Sequence, residues 1–491
     1  MSDLITVEKY NDAYIKVLCE PGVGYELSEY FTFVVPGAKF MPQVKSKFWD
    51  GKIRLFNVAT GLLYAGLIPY IRKFAYDREY TVDVDYELQD TDYSLKEAQE
   101  FCSASTTFEP RDYQVEAFAH AMRTRRALLL SPTASGKSLI IYMLAKKMIE
   151  AGRKILVIVP TTSLVYQMKT DFQEYGYDKN VRVIDGTQDK SWRNDIDEDI
   201  VVSTWQSIYK MPKPWFNQFK CVMGDEAHNF KSKSLTAIMT KLESCEYRYG
   251  FTGTLDGTMT HKLVLEGLFG ATKKVTTSKE LMDEGTLAEL KIKCIQLGYP
   301  EATCKERKGQ TYQEEMQFIV AHQGRLTFLQ NLVMSLKGNT LVLYQLVEKH
   351  GKIIYNNLIE QQKAALFDRQ IFFVSGEIKA QTREEIRGIV EGEKDAVIVA
   401  SYGTFSTGIN IKNLDNIVFA SPSKSKIRVL QSVGRGLRRS DRKTEATLFD
   451  IADDLQYKAK VNYTLQHFAE RVKYYNDEKF DYKIYQVKIN D

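Results

Sequence analysis

One stretch decides the fold: ALLLSPTASGKSLIIYMLA, residues 127–145. An apolar strand leads into a loop, Ser131 to Ser138, and the loop opens a helix. A loop between a strand and a helix N-terminus collects backbone N–H groups that bind an anion. The stretch therefore predicts an α/β domain with a phosphate-binding loop.

The loop contains the groups needed to bind a nucleotide. Lys137 is expected to reach the β and γ phosphates, and the Ser138 hydroxyl to ligate Mg²⁺. The other predicted nucleotide-binding positions of the loop are Ser131, Pro132, Thr133, Ala134, Ser135 and Gly136. Ser131 departs from the usual motif, which has glycine at that position. Taken alone, the loop has a second interpretation as a surface turn with a solvated lysine.

The alternation of strands and helices extends well beyond this loop. Short apolar runs alternate with amphipathic stretches from about residue 127 to 251, and again from about residue 290 onward. Continuously apolar strands are typical of a parallel sheet covered by helices on both faces. We therefore predict two tandem, doubly wound α/β lobes, residues 96–280 and 281–491, with a hinge between Thr272 and Leu290.

The first 95 residues have a different pattern. They combine alternating strands at Tyr14–Leu18 and Lys52–Phe56 with helix candidates at Tyr25–Phe33 and Leu62–Phe74. We predict a small separate α+β domain, followed by an acidic connector to the first lobe.

This N-terminal domain contains a basic segment with aromatic neighbours. Its cations are Lys39, Lys45, Lys47, Lys52 and Arg54, and its aromatic residues are Phe48, Trp49 and Phe56. Cations bind nucleic-acid phosphates and aromatic rings stack on exposed bases, so the segment predicts nucleic-acid recognition. The alternative is that Trp49 and Phe56 belong to the core and the lysines are merely solvated.

An acidic pair, Asp225 and Glu226, follows a predicted strand at Lys220–Met223 in the sequence DEAH. Two adjacent carboxylates at the C-terminal end of a strand can have different roles in hydrolysis. Asp225 is expected to hold Mg²⁺, and Glu226 to orient and deprotonate the attacking water. The tetrapeptide alone has another interpretation, in which the acids only cap a helix.

A third motif, QSVGRGLR at residues 431–438, lies on a predicted helix of the second lobe. Arg435 and Arg438 share one helix face, where two guanidinium groups could stabilise charge on a transferring γ-phosphoryl group. Gln431 is assigned to the same catalytic segment. The alternative is a basic helix that faces solvent or DNA phosphates.

The order of these motifs, with TGT at residues 252–254, resembles that of superfamily two helicases. The resemblance covers about residues 108–450 and implies RecA-like lobes that hydrolyse ATP in the cleft between them, with ATP and Mg²⁺ as cofactors. It implies adenine recognition by Arg111 and Gln114 and a nucleotide contact at Gly408. It also implies that Thr252 and Thr254 couple hydrolysis to strand separation, although TGT departs from the more usual S/T-A-T.

The resemblance further implies contacts with a nucleic-acid backbone, because hydroxyls and loop N–H groups suit phosphate oxygens. The residues are Pro160, Thr161, Thr162, Ser203 and Thr204 in the first lobe, and Ser401 and Thr407 in the second. Each of them, taken alone, is also explained as a turn or a helix cap.

More narrowly, the whole chain, with WDGKIRLF at residues 49–56, is similar to the UvsW family of recombination helicases of T-even bacteriophages. That similarity implies an ATP-dependent DNA helicase acting in replication, recombination and repair on branched DNA: stalled forks, junctions and R-loops. Branched DNA or an RNA–DNA hybrid is the implied partner, and recombination or replication proteins are further candidates. An RNA helicase and an ATP-gated binding module without translocation are the alternatives.

Composition limits the setting in which the protein works. The net charge of +4 is too small to indicate nucleic-acid binding by itself, so the local distribution of charge decides. No apolar run approaches the roughly 18 residues of a membrane span, and the N-terminus lacks a signal-peptide pattern. The six cysteines have no zinc-site spacing. We expect a soluble cytoplasmic protein without a membrane partner, in the infected bacterial host if it is phage-encoded.

Overall fold

The structure is a computed structural model that describes residues 4–186, 196–255, 258–365, 369–378, 380–408, 411, 413–422, 425 and 445–490. The chain divides into two compact units, and the main boundary lies between Thr276 and Thr277. The first unit contains the N-terminal region and one α/β sheet, and the second contains another α/β sheet. Across the described ranges, no helix is long and apolar enough to cross a bilayer.

The N-terminal region is a small α+β fold, as predicted. Its strands are β1 (Leu4–Lys9), β2 (Tyr14–Leu18), β3 (Thr32–Val34), β4 (Lys52–Arg54), β5 (Leu62–Tyr64) and β6 (Thr81–Val84). Its helices are α1 (Pro21–Tyr30), α2 (Pro42–Lys45) and α3 (Ile68–Tyr76). Within the described residues, four strands form a sheet in the order β5-β2-β1-β6, and β3 pairs with β4.

The predicted helix at Leu62–Phe74 is wrong at its start. Leu62–Tyr64 pairs with β2 as a strand, and the α-helix begins only at Ile68, with a proline in its first turn. The apolar run LLYAGLIPYI suits a strand or a buried helix equally well, so pairing with β2 decides its conformation.

The N-terminal region packs directly on the first α/β lobe. A Cβ atom added to Gly66 would lie 2.0 Å from the backbone oxygen of Glu266, so only glycine permits this approach. The Tyr70 hydroxyl donates to the buried Glu266 carboxylate, and Leu263 of the lobe joins the N-terminal core. Because they share a core, these two parts form one unit.

The first lobe is a doubly wound parallel sheet, as predicted. Its strands are β7 (Arg126–Leu130), β8 (Lys154–Val159), β9 (Arg182–Ile184), β10 (Ile200–Thr204), β11 (Phe219–Asp225), β12 (Tyr247–Thr252) and β13 (Thr272–Lys274). Its helices are α4 (Leu95–Ser105), α5 (Asp112–Thr124), α6 (Lys137–Glu150), α7 (Thr162–Glu174), α8 (Trp205–Ile208), α9 (Lys213–Phe216), α10 (Lys233–Lys241) and α11 (Met259–Phe269). In the described residues the strand order is β13-β7-β12-β11-β8-β10-β9, all parallel. Apolar clusters on both faces explain the continuously apolar strands.

The second lobe repeats this architecture. Its strands are β14 (Glu289–Gly298), β15 (Thr340–Tyr344), β16 (Ile371–Val374), β17 (Val397–Ser401), β18 (Asn416–Phe419), β19 (Glu445–Asp454) and β20 (Tyr482–Lys488). Its helices are α12 (Ser278–Asp283), α13 (Glu301–Glu306), α14 (Tyr312–Ala321), α15 (Gln323–Ser335), α16 (Lys352–Ala365), α17 (Ala380–Gly392), α18 (Tyr402–Gly408) and α19 (Tyr463–Asp477). Its described strands are all parallel, in the order β16-β17-β15-β18-β19-β14-β20. The prediction of two RecA-like lobes is confirmed.

Candidate nucleotide and nucleic-acid site

The predicted phosphate loop joins β7 to α6. Its backbone turns at Gly136, where φ is +76° and where a Cβ atom would lie 2.4 Å from the amide nitrogen of Gln114. Ser131, which replaces the usual glycine, is buried, and its hydroxyl lies 2.5 Å from that of Ser135. The Ser131 N–H also donates to the Thr252 carbonyl at 2.8 Å. The loop is therefore tied at its start to the end of β12.

Gln114 supports the loop from beneath. Its side chain is 3% exposed, with Oε1 accepting from Arg111 N at 2.9 Å and Nε2 donating to Ser135 O at 3.0 Å. The Tyr113 hydroxyl donates to the same carbonyl at 3.1 Å. In this structure the side-chain amide of Gln114 thus holds the phosphate loop in place. Recognition of adenine by Arg111 and Gln114 stays a prediction.

The acidic pair stands at the end of β11, beside the loop lysine. Asp225 is the last residue of the strand, and Glu226 follows it with a left-handed φ of +49°. This conformation costs energy for a residue with a side chain, and such strained residues are enriched at functional sites. Lys137 Nζ lies 3.7 Å from Glu226 Oε1, so the structure brings the loop lysine and the predicted general base together.

The Asp225 carboxylate fits a metal ion. Its Oδ1 atom is buried and has no hydrogen-bond partner in the part of the chain that the structure describes. Burial raises the pKa of Asp225 to about 6, although Lys137 opposes the rise. No cluster of three or more His, Cys, Asp or Glu side chains among the described residues could hold a metal. Two protein oxygens completed by water and phosphate are the usual arrangement for Mg²⁺, and Asp225 and Ser138 can supply them.

His228 was not among the residues singled out from the sequence, but it joins two of the predicted motifs. Its Nδ1 atom lies 3.3 Å from Glu226 Oε2 and 3.0 Å from Thr252 Oγ1. The Thr252 hydroxyl donates to the Thr254 carbonyl at 2.9 Å. A chain of polar contacts therefore runs from Lys137 to the TGT segment.

The predicted nucleic-acid contacts of the first lobe fall into two groups. Pro160 and Thr161 are partly exposed and Thr162 is exposed, and they lie at the start of α7, where the Thr161 hydroxyl caps the helix. Ser203 and Thr204 are buried, and their hydroxyls bond inside the protein to Ile184 O and Ser207 Oγ, among others. The structure thus presents the first group to solvent and not the second.

The second lobe is described only in part at its predicted site. Ser401 ends β17, and its hydroxyl lies 2.8 Å from Thr404 Oγ1. The backbone of Thr407 and Gly408 belongs to α18. The predicted catalytic residues Gln431, Arg435 and Arg438 lie outside the described residues.

The basic segment of the N-terminal region lies mostly on the surface. Lys45, Lys47 and Lys52 are exposed, and Phe48 is 89% exposed. Trp49 is half-buried and its ring nitrogen donates to the Lys52 carbonyl at 3.0 Å. Phe56 is buried in the core, so the expectation that its ring stacks on bases is wrong. Arg54 pairs with Asp50, and this hydrogen bond lowers the pKa of Asp50 to about 2.

The fold and this site define the class of ATP-driven helicases with two RecA-like lobes. The chain matches the family described as "DNA helicase UvsW, N-terminal" over residues 5–85. It also matches "Type III restriction enzyme, res subunit" over residues 107–257 and "Helicase conserved C-terminal domain" over residues 324–440.

Two relatives extend over most of the chain. The "ATP-dependent DNA helicase uvsW" of Enterobacteria phage T4 is 36% identical, over 99% of this chain and 100% of the relative. The "DNA 3'-5' translocase XPB2" of Sulfurisphaera tokodaii is 23% identical, over 82% of this chain and 95% of the relative. The crystal structure of T4 UvsW covers 99% of this chain and 100% of its own, with 34% identity and a TM-score of 0.52. The chain belongs to the UvsW family of superfamily two helicases.

Proposed function

We propose that this protein uses ATP and Mg²⁺ to move on DNA and to remodel branched DNA, including stalled forks, recombination junctions and R-loops. The observation that carries the proposal is the polar chain from Lys137 through Glu226 and His228 to Thr252. This chain connects Lys137 and Glu226, which are suited to ATP hydrolysis, with the TGT segment, which is suited to coupling hydrolysis to strand separation. Similarity over its whole length to a relative named an ATP-dependent DNA helicase supports the same activity.

In this proposal the first lobe provides the chemistry. The loop from Ser131 to Ser138 binds the phosphates, and Lys137 lies close to their terminal oxygens. Ser138 and Asp225 would hold Mg²⁺, which would supply positive charge to the phosphates. Glu226 orients the attacking water and accepts its proton. Arg435 and Arg438 stabilise the charge that develops on the transferring phosphoryl group.

The remaining parts of the chain bind the nucleic acid. Pro160, Thr161 and Thr162 contact the backbone of one strand, and residues 1–95 form an accessory recognition domain. Residues 96–280 and 281–491 are the two motor lobes, the second with a C-terminal extension. Recombination or replication proteins are candidate partners, and the phage relative suggests the cytoplasm of an infected bacterium as the place of action.

The test is the ATPase rate measured against single-stranded, duplex, forked and four-way DNA, together with matched RNA. We expect the highest stimulation with forked or four-way DNA and little with RNA. Stronger stimulation by RNA would favour an RNA helicase. ATP hydrolysis with no directional displacement of a labelled strand would favour a binding module, and either result would contradict the proposal.

A further inference from the structure

A tyrosine from outside the predicted motifs touches the proposed metal ligand. The hydroxyls of Ser138 and Tyr175 lie 2.7 Å apart. Ser138 is the second residue of α6, and Tyr175 immediately follows α7, 37 positions further along the chain. The phosphate loop and α7 are therefore joined by a side-chain hydrogen bond between the two hydroxyls.

Packing on several sides fixes the position of the Tyr175 hydroxyl. The Tyr175 ring lies edge-on to Phe108, with centroids 5.5 Å apart, and at the same separation from Tyr142. The Tyr175 N–H donates to Asp171 O at 2.9 Å, and its carbonyl accepts from Thr107 N at 3.3 Å. Because both the ring and the backbone are held, the hydroxyl is a fixed partner for the loop serine.

The direction of this hydrogen bond decides whether the serine can bind a metal. A serine hydroxyl has one proton and two lone pairs. If Ser138 donates its proton to Tyr175, both serine lone pairs stay available to a cation. If Tyr175 donates, one of those lone pairs is already used. The 2.7 Å separation of the two oxygens is compatible with either direction, and in the proposed arrangement Ser138 is the donor.

The helix that ends at Tyr175 begins at the proposed nucleic-acid contact. Helix α7 starts at Thr162, with Thr161 as its cap. Its length is about 20 Å at 1.5 Å per residue. Val165, Met168 and Phe172 are buried along its inner face and fix it against the sheet. A packed helix moves as a unit, so displacement at one end is transmitted to the other.

We propose that Tyr175 is a positioning residue for the metal site. Its hydroxyl accepts a hydrogen bond from the Ser138 hydroxyl and so orients the serine lone pairs. Helix α7 links this pair of residues to the strand-binding surface. The inference rests on the proposed function, because it takes Ser138 as the Mg²⁺ ligand and Thr161 and Thr162 as backbone contacts. It adds a residue that no motif includes.

The test compares Tyr175→Phe with Tyr142→Phe. Both substitutions keep the ring in the same aromatic cluster, but the Tyr142 hydroxyl donates to Ser105 O at 3.2 Å and not to the loop.

We expect Tyr175→Phe to raise the Mg²⁺ concentration for half-maximal ATPase activity about 3- to 10-fold, because one hydrogen bond is lost. The rate at saturating Mg²⁺ should change little. Tyr142→Phe should behave as the wild type in both respects.

A binding measurement without turnover gives a second readout. A fluorescent ADP analogue should bind Tyr175→Phe and the wild type equally in EDTA, whereas Mg²⁺ should tighten its binding less in the variant. In a double-mutant cycle, Tyr175→Phe should not weaken the response to Mg²⁺ further once Ser138→Ala is present. Ser138→Ala removes the metal ligand, so no hydroxyl remains for Tyr175 to orient. Equal responses to Mg²⁺ in wild type and Tyr175→Phe would overturn the proposal.

Addition of single-stranded DNA tests the link through α7. DNA should lower the Mg²⁺ requirement of the wild type, and Tyr175→Phe should lose most of that shift. If DNA does not change the Mg²⁺ requirement of the wild type, or changes it equally in both proteins, the link through α7 would be contradicted. A wild type with no DNA-stimulated ATPase would instead contradict the proposed function itself, with Lys137→Ala as the inactive reference.

Discussion

His228 Nδ1 lies 3.0 Å from Thr252 Oγ1 and 3.3 Å from Glu226 Oε2. The Thr252 hydroxyl also donates to the Thr254 carbonyl at 2.9 Å. The His228 ring therefore contacts both the proposed general base and the TGT segment. We propose that a change of charge at the nucleotide alters these contacts and so provides a physical route from hydrolysis to movement.

The first prediction concerns this route. Thr252→Val keeps the shape of the side chain but removes the hydroxyl that contacts His228, so hydrolysis should continue while less of it produces movement. We expect the basal ATPase rate to stay within about threefold, and strands displaced per ATP on forked DNA to fall about tenfold, as for a lost buried hydrogen bond. Thr272→Val is the matched control, because the Thr272 hydroxyl has no hydrogen-bond partner in the described part of the chain. Unchanged displacement per ATP in Thr252→Val would exclude this route.

The second prediction separates the loop lysine from the carboxylate pair. Lys137→Ala removes the cation beside the terminal phosphates and should abolish turnover. Glu226→Gln keeps the size of the side chain but cannot accept a proton, so ATP should stay bound and uncleaved, with a rate loss of about 10² to 10⁴. Nucleotide binding and single-turnover hydrolysis measure the two effects separately. Parental hydrolysis by Glu226→Gln would show that another group is the base.

Local motifs were predictable from the sequence, and contacts between distant residues were not. The strand Lys154–Val159 lies within the predicted alternation of strands and helices, because an unbroken apolar run between polar residues permits few alternatives. His228 meets Thr252 across 24 positions, and Tyr175 meets Ser138 across 37. The parallel sheet makes His228 and Thr252 neighbours, because it brings the ends of their strands to one edge. Packing of α6 against α7 makes Ser138 and Tyr175 neighbours. Leu62–Phe74 was misassigned for the same reason, since a non-local strand pair overrides the local pattern.

The third prediction concerns pH and uses Asp225. Its pKa is raised to about 6, mainly by burial. The ionised carboxylate therefore destabilises the metal-free protein above that pH, and the penalty disappears as the pH falls from about 6 toward 4. Asp225→Asn cannot ionise, so in EDTA at pH 8 it should be more stable than the wild type by on the order of 1–3 kcal/mol.

Thermal melting in EDTA between pH 5 and 8 measures this difference. The advantage of Asp225→Asn should shrink toward pH 5, where the wild-type carboxyl is protonated. Excess Mg²⁺ and ADP should reverse the order at pH 8, because only the wild type retains the ionised ligand. A pH-independent difference in melting temperature would show that burial of this charge is not the cause.

The fourth prediction concerns the two arginines, whose positions lie outside the described residues. A guanidinium that acts only on the transition state lowers the rate without much change in nucleotide affinity. Arg435→Ala or Arg438→Ala should each reduce DNA-stimulated ATPase activity by about 10³-fold or more. Arg442→Ala is the matched control, because the sequence predicts that Arg442 faces solvent or DNA phosphates and not the nucleotide. Near-normal activity in the first two variants would favour the same interpretation for Arg435 and Arg438.

The surface of the N-terminal region combines exposed cations with exposed rings. Lys45, Lys47 and Lys52 are exposed and form no ion pair within the described residues, whereas Arg54 neutralises Asp50. Phe48, which follows Lys47 in the sequence, is 89% exposed. The first hundred residues are acidic as a whole, with 11 Lys and Arg against 16 Asp and Glu, so this cluster is a local basic surface. Three lysines without carboxylate partners suit the phosphates of branched DNA.

The last prediction therefore neutralises this surface. Replacing Lys45, Lys47 and Lys52 together by Gln should weaken binding to forked and four-way DNA, because each lost phosphate contact reduces the slope of log affinity against log salt by about 0.9. Nucleotide binding should not change, because the phosphate loop lies in a different part of the fold. Arg54→Gln is the matched control and should have little effect on the slope, since Arg54 already pairs with Asp50. A correctly folded triple variant with unchanged junction affinity and an unchanged slope would remove this surface from the DNA-binding site.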